Sequence, residues 1–350
     1  MSFLSRLLLL LVLFNCSCHA QSLKAPNHST SSPTLWIHPN HRSAHEYSEL
    51  FSNPTTWNRA KSTTDVFGFF IDHLKALELS TLQSAVSLFE KEKIDIAIEG
   101  GGTLSFAGCD NKNGEKSARI ELQKIAKIYR AGGKVTWLGM DGPLSRTITH
   151  GRKDNCGFSL QTAVHEVVDY MKAIHSVHPE IKIGWIINAP NWSYERTPSY
   201  HPAANFGDLK RAIDALVLEI KRSGEKLEFI HIDHPYEYAI GTFPAPRRAE
   251  GVDWISRIRS IEKQIKRHQI RFGLIFNAAG GKRARNAPPF DEEFSKRTLA
   301  YINLYRKRGG TPDTVILESW YKWPSHLIPE NTPYTFMHLV REASKSLERK

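Results

Sequence analysis

Val135-Thr-Trp-Leu-Gly-Met-Asp141 reads as a buried strand with a carboxylate at its end, and a helical stretch comes after it. The pattern recurs along the chain, in eight apolar runs at 35–38, 66–72, 94–99, 135–141, 183–188, 229–233, 272–277 and 315–318. Each run ends in a polar group: His38, Asp72, Glu99, Asp141, Asn188, Asp233, Asn277 and Glu318. Strand–helix alternation repeated in this way predicts an α/β fold, a single closed (β/α)₈ barrel whose C-terminal strand ends carry the chemistry. A ring of carboxylates and amides is expensive to keep as structure alone. These strand ends are the candidate active site.

Period-2 phasing agrees with a barrel. With Asp141 inward, Gly139, Trp137 and Val135 follow it, while Met140 and Leu138 face the helices. Asp233 brings His231 and Phe229 inward, and Glu318 brings Ile316 and Thr314. Glu99 leaves Ile98, Ile96 and Ile94 outward, the apolar outer face that buried parallel strands need. The rival is a doubly wound open sheet, which wants a glycine-rich phosphate turn. Gly100-Gly101-Gly102, followed by Thr-Leu-Ser, does not fit that fingerprint.

The 350 residues suit one large barrel, and no Pro/Gly/Ser-rich linker divides the middle. Amphipathic intervals at 82–93, 118–130, 160–175, 209–222, 254–267, 294–307 and 334–347 supply the helices. Residues 1–20 read as a signal peptide: Arg6 precedes a leucine-rich core, and Cys18-His19-Ala20 offers small residues before a cut. The apolar run is too short to span a bilayer. The expectation is a flexible segment at 21–33, a catalytic barrel at 34–350, and a secreted or periplasmic protein without stable membrane insertion. In an oxidising compartment Cys109 and Cys156, in the loops after the third and fourth strands, are expected to form a disulfide; two free thiols are the alternative.

Formal net charge is +11, or +10 once Arg6 leaves with the signal. Arg247-Arg248, Lys282-Arg283-Ala284-Arg285 and Arg306-Lys307-Arg308 carry much of it. The last ends a helix, where cations complement the helix dipole. Lys282 to Arg285 follow a strand end and suit an anionic substrate, an acidic polysaccharide or cell-surface polymer, although basicity also serves solubility. No nucleic-acid recognition motif is present.

Aromatic residues crowd the same face: Trp192 and Tyr194 after strand five, Tyr236 and Tyr238 after strand six, Trp320, Tyr321 and Trp323 after strand eight. Aromatic faces beside carboxylates and amides hold sugar rings. Glycoside hydrolysis needs two carboxyl groups flanking the scissile bond, and strand ends two apart around a barrel provide them. The candidates are Asp233 with Asp141, or Asp233 with Glu318. Glu318 precedes Ser-Trp-Tyr, an apolar wall that suits a general acid. Asp233 lies in His231-Ile-Asp233-His234, a polar setting that suits an ionised nucleophile or base. Glu99, Asp72, His38, His231, Asn188 and Asn277 are candidates for hydroxyl recognition, and Trp192, Tyr236, Trp320 and Trp323 for sugar platforms.

Trp137-Leu-Gly-Met-Asp141, Phe229-Ile-His-Ile-Asp233 and Ile316-Leu-Glu318-Ser-Trp320 resemble the TIM-barrel glycoside hydrolase superfamily over nearly the whole chain after the signal. Aspartates on strands four and six are similar to the nucleophile and acid/base placement of the α-galactosidase-like clan. The large retaining β-glycosidase clan would want Asn-Glu ending strand four and Glu on strand seven. Here strand four ends Met-Asp-Gly and strand seven ends in Asn277.

Two other functions compete. His38, His41, Asp72, His73, Glu99, His231 and Asp233 are candidate ligands for a metal-dependent, phosphodiesterase-like hydrolase. Trp36-Ile-His38-Pro-Asn-His41-Arg42 is similar to the strand-one histidine of glycerophosphodiester phosphodiesterases, but the Glu-x-Asp partner is absent. A zinc amidohydrolase would show His-x-His on strand one, and here the spacing is His-x-x-His. The other competitor is a barrel that binds carbohydrate without catalysis. Its number of inward carboxylates argues against that. The sequence therefore predicts a secreted glycosidase that needs no cofactor.

Overall fold

A computed structural model describes residues 32–148, 156–201, 206–243, 249–278, 290–320 and 322–348. The signal peptide, most of the segment at 21–33, Arg247-Arg248, the Lys282 to Arg285 cluster and Tyr321 lie outside the described residues, as does the side chain of His41. Eight parallel strands close into a barrel in chain order: β1 (Thr34–His38), β2 (Val66–Phe70), β3 (Asp95–Gly100), β4 (Trp137–Asp141), β5 (Lys182–Asn188), β6 (Phe229–Asp233), β7 (Arg271–Phe276) and β8 (Thr314–Glu318). Closure is direct, with β1 pairing β8 from Thr34↔Thr314 to His38↔Glu318.

Between β1 and β2 the chain makes only short helical turns, including α1 (Tyr47–Ser52) and α2 (Asn58–Thr63), and Pro54 opens one of those between them. Longer helices cover the rest of the outside: α3 (Leu79–Glu92), α4 (Asn113–Arg130), α6 (Leu160–His175), α7 (Leu209–Arg222), α9 (Trp254–Arg267), α10 (Asp291–Lys307) and α11 (Phe336–Ser346). Two single turns, α5 (Ser145–Ile148) and α8 (Tyr236–Ala239), follow β4 and β6. Four of the long helices have chemically marked starts. Ser159, Asp208, Asp253 and Thr335 each accept a hydrogen bond from a first-turn backbone N–H, at Thr162, Arg211, Ser256 and His338.

The strand phasing separates two cores. Leu138, Met140, Ile230, Ile232, Val315, Leu317, Ile96 and Ile98 pack outward against the helices. Trp36, Val66, Ala97, Trp137, Ile186, Phe229, Ile275 and Ile316 fill the barrel. Val135 is a correction: it packs with the outer core because β4 begins two residues later, at Trp137. The N-terminal end of the barrel is plugged by the Trp137 ring. Its Nε1 donates to Asp95 at 2.9 Å, and Lys182 and Arg271 lie 4.5 and 5.4 Å from its centroid.

Two glycines make room for the polar layer above. A Cβ on Gly68 would stand 2.1 Å from the His38 ring, and one on Gly273 would stand 2.3 Å from the His231 ring. Trp36 supports both imidazoles from below. Its ring is nearly parallel to that of His38, with centroids 6.4 Å apart, and meets His231 edge-on at 4.8 Å. The sequence thus builds an aliphatic and aromatic plug and places titratable groups on top of it.

Candidate active site

The C-terminal strand ends form two connected zones. One is a cavity of about 370 Å³ lined by Asp141, Asn188, Asp233 and Asn277, together with Pro190, His201, Pro235, Tyr238 and Trp320. Asn277 donates from Nδ2 to Oδ1 of Asp233 at 3.3 Å, fixing the carboxyl from the next strand. A larger hollow of about 850 Å³ lies between residues 194–197 and the start of α9, and no strand-end carboxylate lines it.

The second zone is buried. Glu99, Glu318, His38 and His231 are each less than 5% exposed. His38 Nδ1 lies 3.7 Å from Oε2 of Glu99. Burial holds His38 near a pKa of about 3, so the imidazole is neutral and this contact is not an ion pair. Burial likewise holds His231 well below the usual histidine range, with His38 and Arg271 adding to the effect.

The carboxyl groups are displaced the other way. Burial raises Glu99 well above the ordinary value, and the charges of Glu318, Asp141 and Asp233 push further. Glu318 rises for the same leading reason, with Asp233 and Asp141 as its repelling neighbours. Fully ionised, neither glutamate has a hydrogen-bond partner. A hydrogen bond between them requires one to carry a proton. Asp233 is pushed up to about 7 by burial and by Asp141, against the opposing hydrogen bond from Asn277. That reverses the sequence-based assignment of Asp233 as the ionised partner.

Other expected residues lie elsewhere. Asp72 is not brought to the mouth: β2 stops at Phe70, the chain turns, and the exposed Asp72 carboxylate pairs with Lys124 at 2.6 Å. Phe70 takes its place in the inward register. It packs on Trp320 at 4.6 Å and edges His38 at 5.9 Å. Trp192 is buried in the outer core against Trp185 and Phe206. Among the described residues the indole therefore lines neither of the two cavities. Tyr236 packs against Tyr301, and Trp323 leans on the Ala278, Phe294 and Leu339 cluster. Trp320 is the expected platform that does line the cavity.

Sequence reasoning missed His201, Tyr238, Pro190 and Pro235 as lining residues. His201 Nε2 lies 3.3 Å from the Tyr238 hydroxyl. Tyr238 was visible as one of the loop aromatics. His201 sits far from any strand end in sequence, and its only signal was the Pro-Ser-Tyr-His-Pro run at 198–202. The expected disulfide is present: Cys109 and Cys156 join the β3–α4 and β4–α6 connections, with Cα atoms 5.2 Å apart.

No known family model matches the chain, and no curated protein resembles it in sequence. Solved structures resemble it in fold. The chain is similar to a fungal β-1,4-galactanase at 10% identity, covering 84% of this chain and 89% of that one, with a TM-score of 0.50. It is also similar to an endo-β-1,4-mannanase from Thermotoga petrophila at 11% identity, covering 92% and 78%, with a TM-score of 0.51. Likeness at this level of identity shows the shared (β/α)₈ barrel, the architecture expected from the strand pattern.

Proposed function

We propose that this barrel hydrolyses glycosidic bonds in a polysaccharide or oligosaccharide, with Asp233 as general acid and Asp141 as its base or nucleophile. The observation that carries the reading is the cavity in which both aspartates meet beside Trp320 and Tyr238. Asp233, with a pKa of about 7, keeps a proton to give to a leaving oxygen at neutral pH. Glu318 is buried and does not line that cavity, which favours Asp141 as the second member. Trp320 and Tyr238 offer ring faces to a sugar, and Asn188 and Asn277 offer amides to its hydroxyls. The galactanase and mannanase neighbours fit a carbohydrate substrate.

Export is part of the proposal. The Cys109–Cys156 disulfide suits an oxidising compartment, and no described helix is long and apolar enough to cross a membrane.

The test is a polysaccharide and oligosaccharide hydrolysis screen on the wild type, Asp141→Asn, Asp233→Asn and Glu318→Gln. Sugar release by the wild type that disappears in both aspartate variants supports the pair. Sugar binding without release from any substrate would overturn hydrolysis in favour of a non-catalytic barrel.

A further inference from the structure

Beneath the cavity, the floor of the mouth poses a problem of its own. Glu99 and Glu318 are 4% and 1% exposed, and with both ionised none of their four carboxyl oxygens has a hydrogen-bond partner; a bond between the two carboxyls needs a proton on one. His38 is 3% exposed, and its Nδ1 is also without a partner. One donor atom from each of the three residues lies within 4.8 Å of the others. Buried polar groups in folded proteins are nearly always satisfied, and two buried carboxylates facing each other are costly. Something of positive charge belongs between them.

We propose that His38, Glu99 and Glu318 bind one divalent transition-metal ion of the Zn²⁺ or Mn²⁺ class. One imidazole and two carboxylates form a nitrogen-and-oxygen donor set that suits such ions. The ion's charge of two neutralises the two glutamates, and the neutral imidazole supplies an uncharged ligand. An ion bonded at about 2.1 Å holds neighbouring donors roughly 3–4 Å apart. The observed spacing needs only a small contraction to reach that. The scaffold is already shaped for it: Gly68 leaves space for the His38 ring, and the Trp36 ring lies parallel to it. His231, with its Nε2 unpartnered and its ring against Trp36, lies in the same polar layer. The inference stands whether or not the barrel cleaves sugars.

The experiment is titration calorimetry of the EDTA-treated, desalted full chain with Zn²⁺ and, separately, Mn²⁺. Thermal unfolding is followed with and without each ion. The expected result is one equivalent bound, with a rise in Tm on loading. Glu99→Gln and Glu318→Gln should each weaken binding by about 100-fold or more, and His38→Ala by about 10-fold or more. Each glutamine also removes a buried charge, so the ion-free variants should melt at or above the ion-free wild type. This keeps loss of binding distinct from loss of folding. If a variant fails to fold, Mn²⁺ electron paramagnetic resonance on the wild type still decides whether a nitrogen and carboxylate site exists. Wild-type protein that binds neither ion overturns the proposal. So does binding that persists in the Glu99→Gln/Glu318→Gln double variant, which would put the ion elsewhere.

Discussion

The half of the barrel mouth built by β4 to β7 and the half built by β8, β1, β2 and β3 carry the same kinds of strand-end residue, but the strand ends of the first line a cavity and those of the second do not. In the first, Asp141, Asn188, Asp233 and Asn277 line an open cavity. In the second, Glu318, His38 and Glu99 are buried, and Phe70 packs against Trp320 beside them. The strand period is identical in both. What differs is β2, which presents an aromatic ring where its neighbours present polar groups. In that half an apolar strand end packs on a tryptophan and on the His38 ring, and the carboxyls beside it are buried groups that need a proton or a cation.

The largest effect should come from the open half. Asp233→Asn and Asp141→Asn are each expected to lower kcat by about 10²–10⁴-fold, the usual contribution of a positioned acid or base. The Asp233→Asn side chain keeps an oxygen acceptor for the Asn277 amide, so folding should persist, as circular dichroism would report. Retained activity in both aspartate variants, with loss in Glu318→Gln, would move the chemistry to the buried half and break the comparison.

The border between the halves is covalently tied. Cys109 follows β3 and Cys156 precedes α6, with a sequence separation of 47. Replacing both with serine should cost about 2–4 kcal/mol in urea unfolding, because the unfolded chain regains the entropy of an open loop. A smaller effect comes from the polar layer. Gly68→Ala and Gly273→Ala should each cost about 1–3 kcal/mol, since their methyls would collide with His38 and His231. A loss well below that range at Gly68 alone would show that the buried half has slack its burial does not suggest.

How far the sequence revealed this site depended on which physical effect was in play. Alternation of Ile and Leu with Asp, Glu and His along β3, β4, β6 and β8 is a local consequence of pleating, so the inner and outer cores could be read directly. Strand length is less local. Asp72 is in phase with Phe70, but the chain turns at Ile71, and nothing in the run at 66–72 marks that turn. Trp192 and Trp320 look alike as aromatics just past a strand end. One is pulled under its loop by Trp185 and Phe206 and the other lines the cavity, a choice made by tertiary packing. The acid–base roles were the least legible. Asp233 has a polar sequence context, yet burial and Asp141 raise its pKa, and both depend on how deep the strand end sits.

That depth yields the most discriminating prediction, the dependence of stability on pH. Asp233 holds its proton up to about pH 7 in the folded chain, against an ordinary value of 3.8 when exposed. Between those values the folded state binds more protons than the unfolded state, so stability falls as pH rises, by about 1.4 kcal/mol per unit at full slope. The contribution is flat below the unfolded value, where both states are protonated, and flat again above the folded one, where neither is. Glu121, which burial raises to about 7, adds a slope of the same sign and must be subtracted. The Asp233→Asn variant keeps Glu121 and so cancels its slope; it also removes the charge that raises Glu99 and Glu318, a change that acts in the same direction on the difference. Its stability relative to the wild type, from urea unfolding at about pH 5, 6, 7 and 8, should climb with pH and then level off. In the same window, wild-type kcat should decline above about pH 7 as the acid loses its proton. A difference that stays constant across the series would mean that Asp233 is solvated like an exposed carboxylate. The open half would then owe its chemistry to some other group.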